Sequence, residues 1–120
     1  MSRILLISAD EVVGQLKVKI LQKAGHDVCA VTAFDGLLFT ARQQRFDLII
    51  IGYTVPAKEK LRIWRALADC IRPMPKVLEI FRVSPEIQDA DGYVRIDDGP
   101  EALIAAANEL THTRRRAASA

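Results

Sequence analysis

Asp47-Leu48-Ile49-Ile50-Ile51-Gly52-Tyr53-Thr54-Val55-Pro56 is the stretch on which the fold turns. Four successive apolar residues, three of them β-branched, stop at Gly52 and then meet Pro56. That is the pattern of a strand buried on both faces, as in a parallel sheet covered by helices. In such sheets ligands and chemistry sit beyond the carboxyl ends of the strands. The first residue at that end is a glycine, which brings no functional group. What surrounds Gly52 therefore decides between a reactive centre and a binding module.

Outward from this stretch the chain alternates between strand and helix patterns. Residues 3–7 read as an apolar strand, followed by Ser8, Ala9 and Asp10. Val12, Val13, Leu16, Ile20, Leu21 and Ala24 then recur at helical spacing, with Asp10 as N-cap, Glu11 in the first turn and Gly25 as the stop. A second strand is expected over 26–31, and a helix over about 35–44 carries Leu37, Leu38 and Ala41 inward. After the opening strand comes a helix over about 58–71 with Leu61, Trp64, Leu67, Ala68 and Ile71 on one face. Strands over 76–81 and 92–96 follow. The last helix opens at Asp98 as N-cap and buries Leu103, Ile104, Ala107 and Leu110. Such alternation builds parallel βαβ units with right-handed crossovers. One connection breaks the rhythm: residues 82–92 barely meet the roughly 10–12 residues of a crossover, which leaves room for one turn near 85–89 at most.

Composition narrows the function classes. The 120 residues make a single domain over 1–112, with 113–120 expected as a basic, disordered tail. No apolar run approaches the roughly 18–20 residues of a membrane span, and the chain enters its first strand directly, so a cytoplasmic protein without membrane contact is expected. The net charge of +2 owes to Arg114, Arg115 and Arg116: without these three, the 17 basic residues become 14 facing 15 acidic ones. Lys58, Lys60, Arg62, Arg65 and Arg72 on the third helix read as a solvated face, and no aromatic array accompanies them, which disfavours nucleic acid as a partner. Cys29 and Cys70 lack metal-ligand spacing and read as buried free thiols; His26 and His112 read as partnerless.

Taken together, these segments resemble the receiver domain of bacterial response regulators. The matching pieces are Ile4-Leu5-Leu6-Ile7, Ala24-Gly25, Ala33-Phe34-Asp35-Gly36, Asp47-Leu48-Ile49-Ile50-Ile51 with Pro56, Gly92-Tyr93-Val94 and Pro100-Glu101-Ala102-Leu103. The resemblance implies an α/β, single-domain, doubly wound five-stranded parallel sheet of flavodoxin-like order 2-1-3-4-5, with helices on both faces and the fourth helix shortened or missing. It also implies a phosphoacceptor carboxylate ending the third strand, an acidic pair for Mg²⁺ after the first, a hydroxyl ending the fourth and a lysine ending the fifth. Here those positions hold Gly52, then Ser8 and Ala9, then Phe81 (Ile80 with an offset of one), then Ile96. The chemistry needs an oxygen nucleophile, hard oxygen ligands and a cation. None of these residues supplies them.

The sequence thus points to a degenerate pseudo-receiver: a signalling module, not an enzyme, with no cofactor or metal, acting through phosphorylation-independent contact with another signalling protein or a second copy of itself. Tyr93 matches the family's interface aromatic. Tyr53, Thr54, Phe81 and Asp10 are the further candidate pocket or interaction residues. The alternatives are a small-ligand sensor using a vacated apolar pocket near Gly52 and, more weakly, nucleic-acid contact through the basic tail.

Overall fold

The computed structural model describes residues 2–32 and 34–119; for residues 34, 35 and 113–119 it describes the backbone course only. The elements follow in the order β1 (Arg3–Ile7), α1 (Glu11–Lys23), β2 (Asp27–Val31), α2 (Phe34–Gln43), β3 (Leu48–Ile51), α3 (Ala57–Cys70), β4 (Lys76–Phe81), β5 (Gly92–Arg95), a 3₁₀ turn (Ile96–Asp98) and α4 (Gly99–Ser119). The strands form one parallel sheet in the order β2-β1-β3-β4-β5.

The period-2 alternation of strand side chains divides the core into two layers. Leu5, Ile7, Ile49, Ile51 and Val77 face α2 and α3, where Leu37, Ala41, Ile63 and Leu67 meet them. Ile4, Leu6, Leu48, Ile50, Leu78, Ile80 and Val94 face α1 and α4, against Val18, Leu21, Leu103 and Ala107. Consecutive apolar residues in β1 and β3 are thus all used, alternately on opposite faces.

Two helical faces differ in part from expectation: Leu21 on α1, Leu67 and Trp64 on α3 and Ile71 just after it face the core as expected, but their neighbours do not all follow. On α1, Gly14, Lys17, Val18 and Leu21 are buried while Val12 and Leu16 are exposed. On α3 the inward set is Lys60, Ile63 and Leu67, and Leu61 is exposed. Lys60 therefore does not belong to a solvated basic face. Cys29 is half-buried and Cys70, the last residue of α3, is exposed; both thiols are free. His26 does have a partner, its Nε2 lying 2.7 Å from Asn108 Oδ1.

Between β4 and β5 no helix forms, not even the single turn allowed for near 85–89. Among the described residues, the four α-helices are thus α1 to α3 plus the one that follows β5. The span of α4 enters the segment 113–120, whose side chains lie outside the described residues; alanine and arginine there are strong helix formers. Among the described residues, no helix is long and apolar enough to cross a membrane.

Candidate functional site

The carboxyl ends of β1, β3, β4 and β5 bring Ser8, Ala9, Gly52, Phe81 and Ile96 to one edge of the sheet. Gly52 directly follows β3 and is buried; its N–H donates to Ile7 O at 2.8 Å, and its own carbonyl accepts from Val55 N–H at 3.2 Å. A Cβ at this position would stand 3.0 Å from Ile7 O, a fixed backbone atom. Close approach of two backbones, rather than an unusual φ, is what calls for glycine here.

Beside it, Ser8 and Thr54 join the loop after β1 to the loop after β3. Ser8 Oγ donates to Asp10 O at 2.8 Å and lies 3.1 Å from Thr54 Oγ1, while Thr54 Oγ1 accepts Ala9 N–H at 3.0 Å. Since the single Ser8 proton goes to Asp10 O, the Thr54 hydroxyl is the donor between the two side chains. Asp10 caps α1: its Oδ1 accepts Val13 N–H at 3.1 Å. Asp97 lies 3.7 Å from Arg95, and Asp98 immediately precedes α4. The acidic side chains remaining near this edge thus cap, pair or border helices.

At the ends of β4 and β5, Ile80 turns toward α1 and α4 whereas Phe81, one residue on, does not. A cavity of about 230 Å³ opens on that face between α1, β4, β5 and α4, with Ile80 and Ile96 in its lining; neither Gly52 nor Phe81 lines it. The space beside Gly52 is closed by backbone instead. Tyr53 lies beneath two cations, Lys17 Nζ 5.3 Å and Arg82 Cζ 5.9 Å from its ring centroid. Burial pushes the Lys17 pKa below its ordinary value of 10.5.

The strongest polar feature went unread in the sequence. Glu79 occupies the middle of β4 on the α2/α3 side, and Lys60 reaches it from α3; both side chains are essentially fully buried. Lys60 Nζ donates to Glu79 Oε2 at 2.8 Å, to Glu86 Oε1 at 3.0 Å and to Ile80 O at 3.2 Å, which uses all three of its protons. Glu79 in turn accepts the backbone N–H groups of Glu86 and Ile87 at 3.0–3.1 Å. The connection from β4 to β5 is therefore pinned by a buried carboxylate where a crossover would ordinarily pack a helix. Ile87 is seated in the core below it. The signal was present in the sequence: Lys60 shares a helical face with Ile63 and Leu67, and Glu79 interrupts an otherwise apolar strand.

Tyr93 completes the pinning from β5. Its hydroxyl lies 2.6 Å from Ile87 O and 2.7 Å from Gln88 O, and accepts Ala90 N–H at 3.2 Å, while its ring is partly exposed. Tyr93→Phe should lower the unfolding free energy by about 1–2 kcal/mol, as expected for losing a hydroxyl that serves several backbone groups. Amide exchange should quicken over residues 86–91 and stay unchanged in β1 and β3. Equal exchange in both regions would show that the hydroxyl does not hold this connection.

No family model matches the chain, and no curated protein matches it. Its structural likeness is nonetheless extensive: the fold is that of response regulator receiver domains. The receiver domain from Clostridium thermocellum superposes with a TM-score of 0.80 at 20% identity, over 96% of this chain and 98% of that one. The chemotaxis protein CheY4 of Vibrio cholerae gives 0.77 at 22% identity, over 92% and 98% respectively. The receiver domain of the Francisella response regulator 1452 gives 0.79 at 16% identity, over 94% and 98%.

Proposed function

We propose that this chain is a receiver-type signalling module that is not phosphorylated, is not an enzyme, and acts by binding another signalling protein or a second copy of itself in the cytoplasm. The observation that carries this reading is the sheet edge itself. Where the resemblance calls for a nucleophile, a metal-binding pair, a hydroxyl and a cation, there stand a buried glycine, a serine and an alanine engaged with Thr54, a phenylalanine and an isoleucine. A phosphoryl group would find no carboxylate to join and no pair of hard ligands to hold Mg²⁺. The likeness to structures described as chemotaxis and response regulator proteins supports the signalling part of the reading.

A partner would meet an altered surface. The helix-free connection leaves Val83 86% exposed and Tyr93 at 38%, beside the edge strand β5. The input to such a module is its amount, location or occupancy. Its independence of metal is directly measurable: millimolar Mg²⁺ should leave Trp64 fluorescence unchanged, and a saturable Mg²⁺-dependent change would contradict the reading.

A further inference from the structure

The cavity between α1 and α4 has a composition that no task of the fold explains. Its walls are apolar, formed by Leu16, Ile20, Ile80, Ile96 and Leu103 among others, and its volume is about 230 Å³. Two cations, Lys17 and Arg95, also line it, and no carboxylate does. Arg95 lies near Asp97, at 3.7 Å, on the exposed side. Lys17 is different. Most of the residue is covered, with only 8% exposed, while its ammonium still reaches solvent; among the described residues that group has neither an ion-pair nor a hydrogen-bond partner, only the face of Tyr53. The buried ammonium group of Lys60, on the opposite face of the sheet, has three acceptors. A partly desolvated charge without a counter-charge carries a cost, and an anion that reaches it relieves that cost.

We propose that this cavity binds a small amphipathic carboxylate, its headgroup paired with the Lys17 ammonium and its hydrocarbon body lying against Leu16, Ile20, Ile96 and Leu103. The volume is below the roughly 300–1,000 Å³ of drug-sized sites, which favours a short chain or a single ring. Charge complementarity selects the anion, since nothing acidic in the lining competes for Lys17. The apolar walls select against a free inorganic anion, which would lose its hydration there without compensation. The site lies apart from Gly52, and it stands whether or not the chain is phosphorylated.

The test uses the intact chain with octanoate as probe, alongside 1-octanol and acetate, followed by amide chemical shifts. Octanoate should bind saturably, with shifts concentrated at Leu16, Ile20, Ile96 and Leu103. The neutral 1-octanol should bind about tenfold more weakly or worse, because a charge-assisted hydrogen bond is lost, and acetate should not saturate. Lys17→Met should weaken octanoate by a similar factor while retaining the native amide spectrum. Absence of saturable octanoate binding, equal affinity for 1-octanol, or shifts confined to another face would overturn the proposal. The comparison of octanoate with 1-octanol is made on the unaltered chain, so it decides even if the variant folds poorly. Unchanged binding by a folded Lys17→Met chain would also overturn it.

Discussion

Lys60→Met is expected to lower the unfolding free energy by about 3–5 kcal/mol, the cost of removing one partner from a buried ion pair. Methionine nearly fills the volume, so the loss is electrostatic rather than a cavity. Glu79 keeps the N–H groups of Glu86 and Ile87 but loses the cation that lies 2.8 Å from its Oε2. A carboxylate with no exposed surface is then left without its counter-charge, which raises the energy of the folded state. A second variant isolates that contribution. In Lys60→Met/Glu79→Gln the neutral amide needs no counter-charge, and its oxygen still accepts from the 86–87 backbone, so part of the loss should return. Denaturant midpoints measure both. A loss below about 1 kcal/mol for Lys60→Met, the range of exposed ion pairs, would show that Lys60 is solvated after all.

Gly52→Asp, which places a carboxylate where the resemblance to receiver domains calls for one, should destabilise the fold by about 1–3 kcal/mol or more and should not confer phosphorylation. Its Cβ would meet the Ile7 carbonyl oxygen at 3.0 Å, and backbone cannot swing aside as a flexible side chain can. The added carboxylate would then sit beside a carbonyl and the Ser8–Thr54 hydroxyl pair, with no adjacent acid to help hold Mg²⁺ and an isoleucine in place of the lysine. Gly52→Ala isolates the steric part and should be destabilised in the same direction by less. Thermal unfolding and intact mass report on the two claims separately. Native stability in Gly52→Asp together with a phosphoryl adduct would mean that one substitution alone had silenced the site.

The strands were legible because their periodicity is local. β1 and β4 occupy the expected spans 3–7 and 76–81, each opening one charged residue ahead of its apolar residues, and β3 stops at the glycine that its neighbour's backbone requires. Helix positions were legible, but their inner faces were less so. On α1, Val12, Val13 and Leu16 offered one apolar stripe and Val18 and Leu21 an adjoining one, and hydrophobicity alone does not choose between them when a lysine occupies the buried row. The same misreading hid Lys60. A charged residue at an inward helical position reads as solvated, whereas an equally misplaced charge, Glu79, lies 19 residues on in β4. Long-range pairing of two such anomalies is invisible to any short window. That Gly52, Ser8, Ala9, Phe81 and Ile96 stand at the sheet edge was readable residue by residue. The Ser8–Thr54 bond that occupies the edge was not, because it depends on how two loops meet.

The central claim is that a receiver fold persists here without phosphotransfer, and intact mass spectrometry after incubation with acetyl phosphate and Mg²⁺ tests it most directly. The account predicts an unchanged mass at all incubation times. A stoichiometric phosphoryl adduct that forms with Mg²⁺ and disappears on its removal would contradict it.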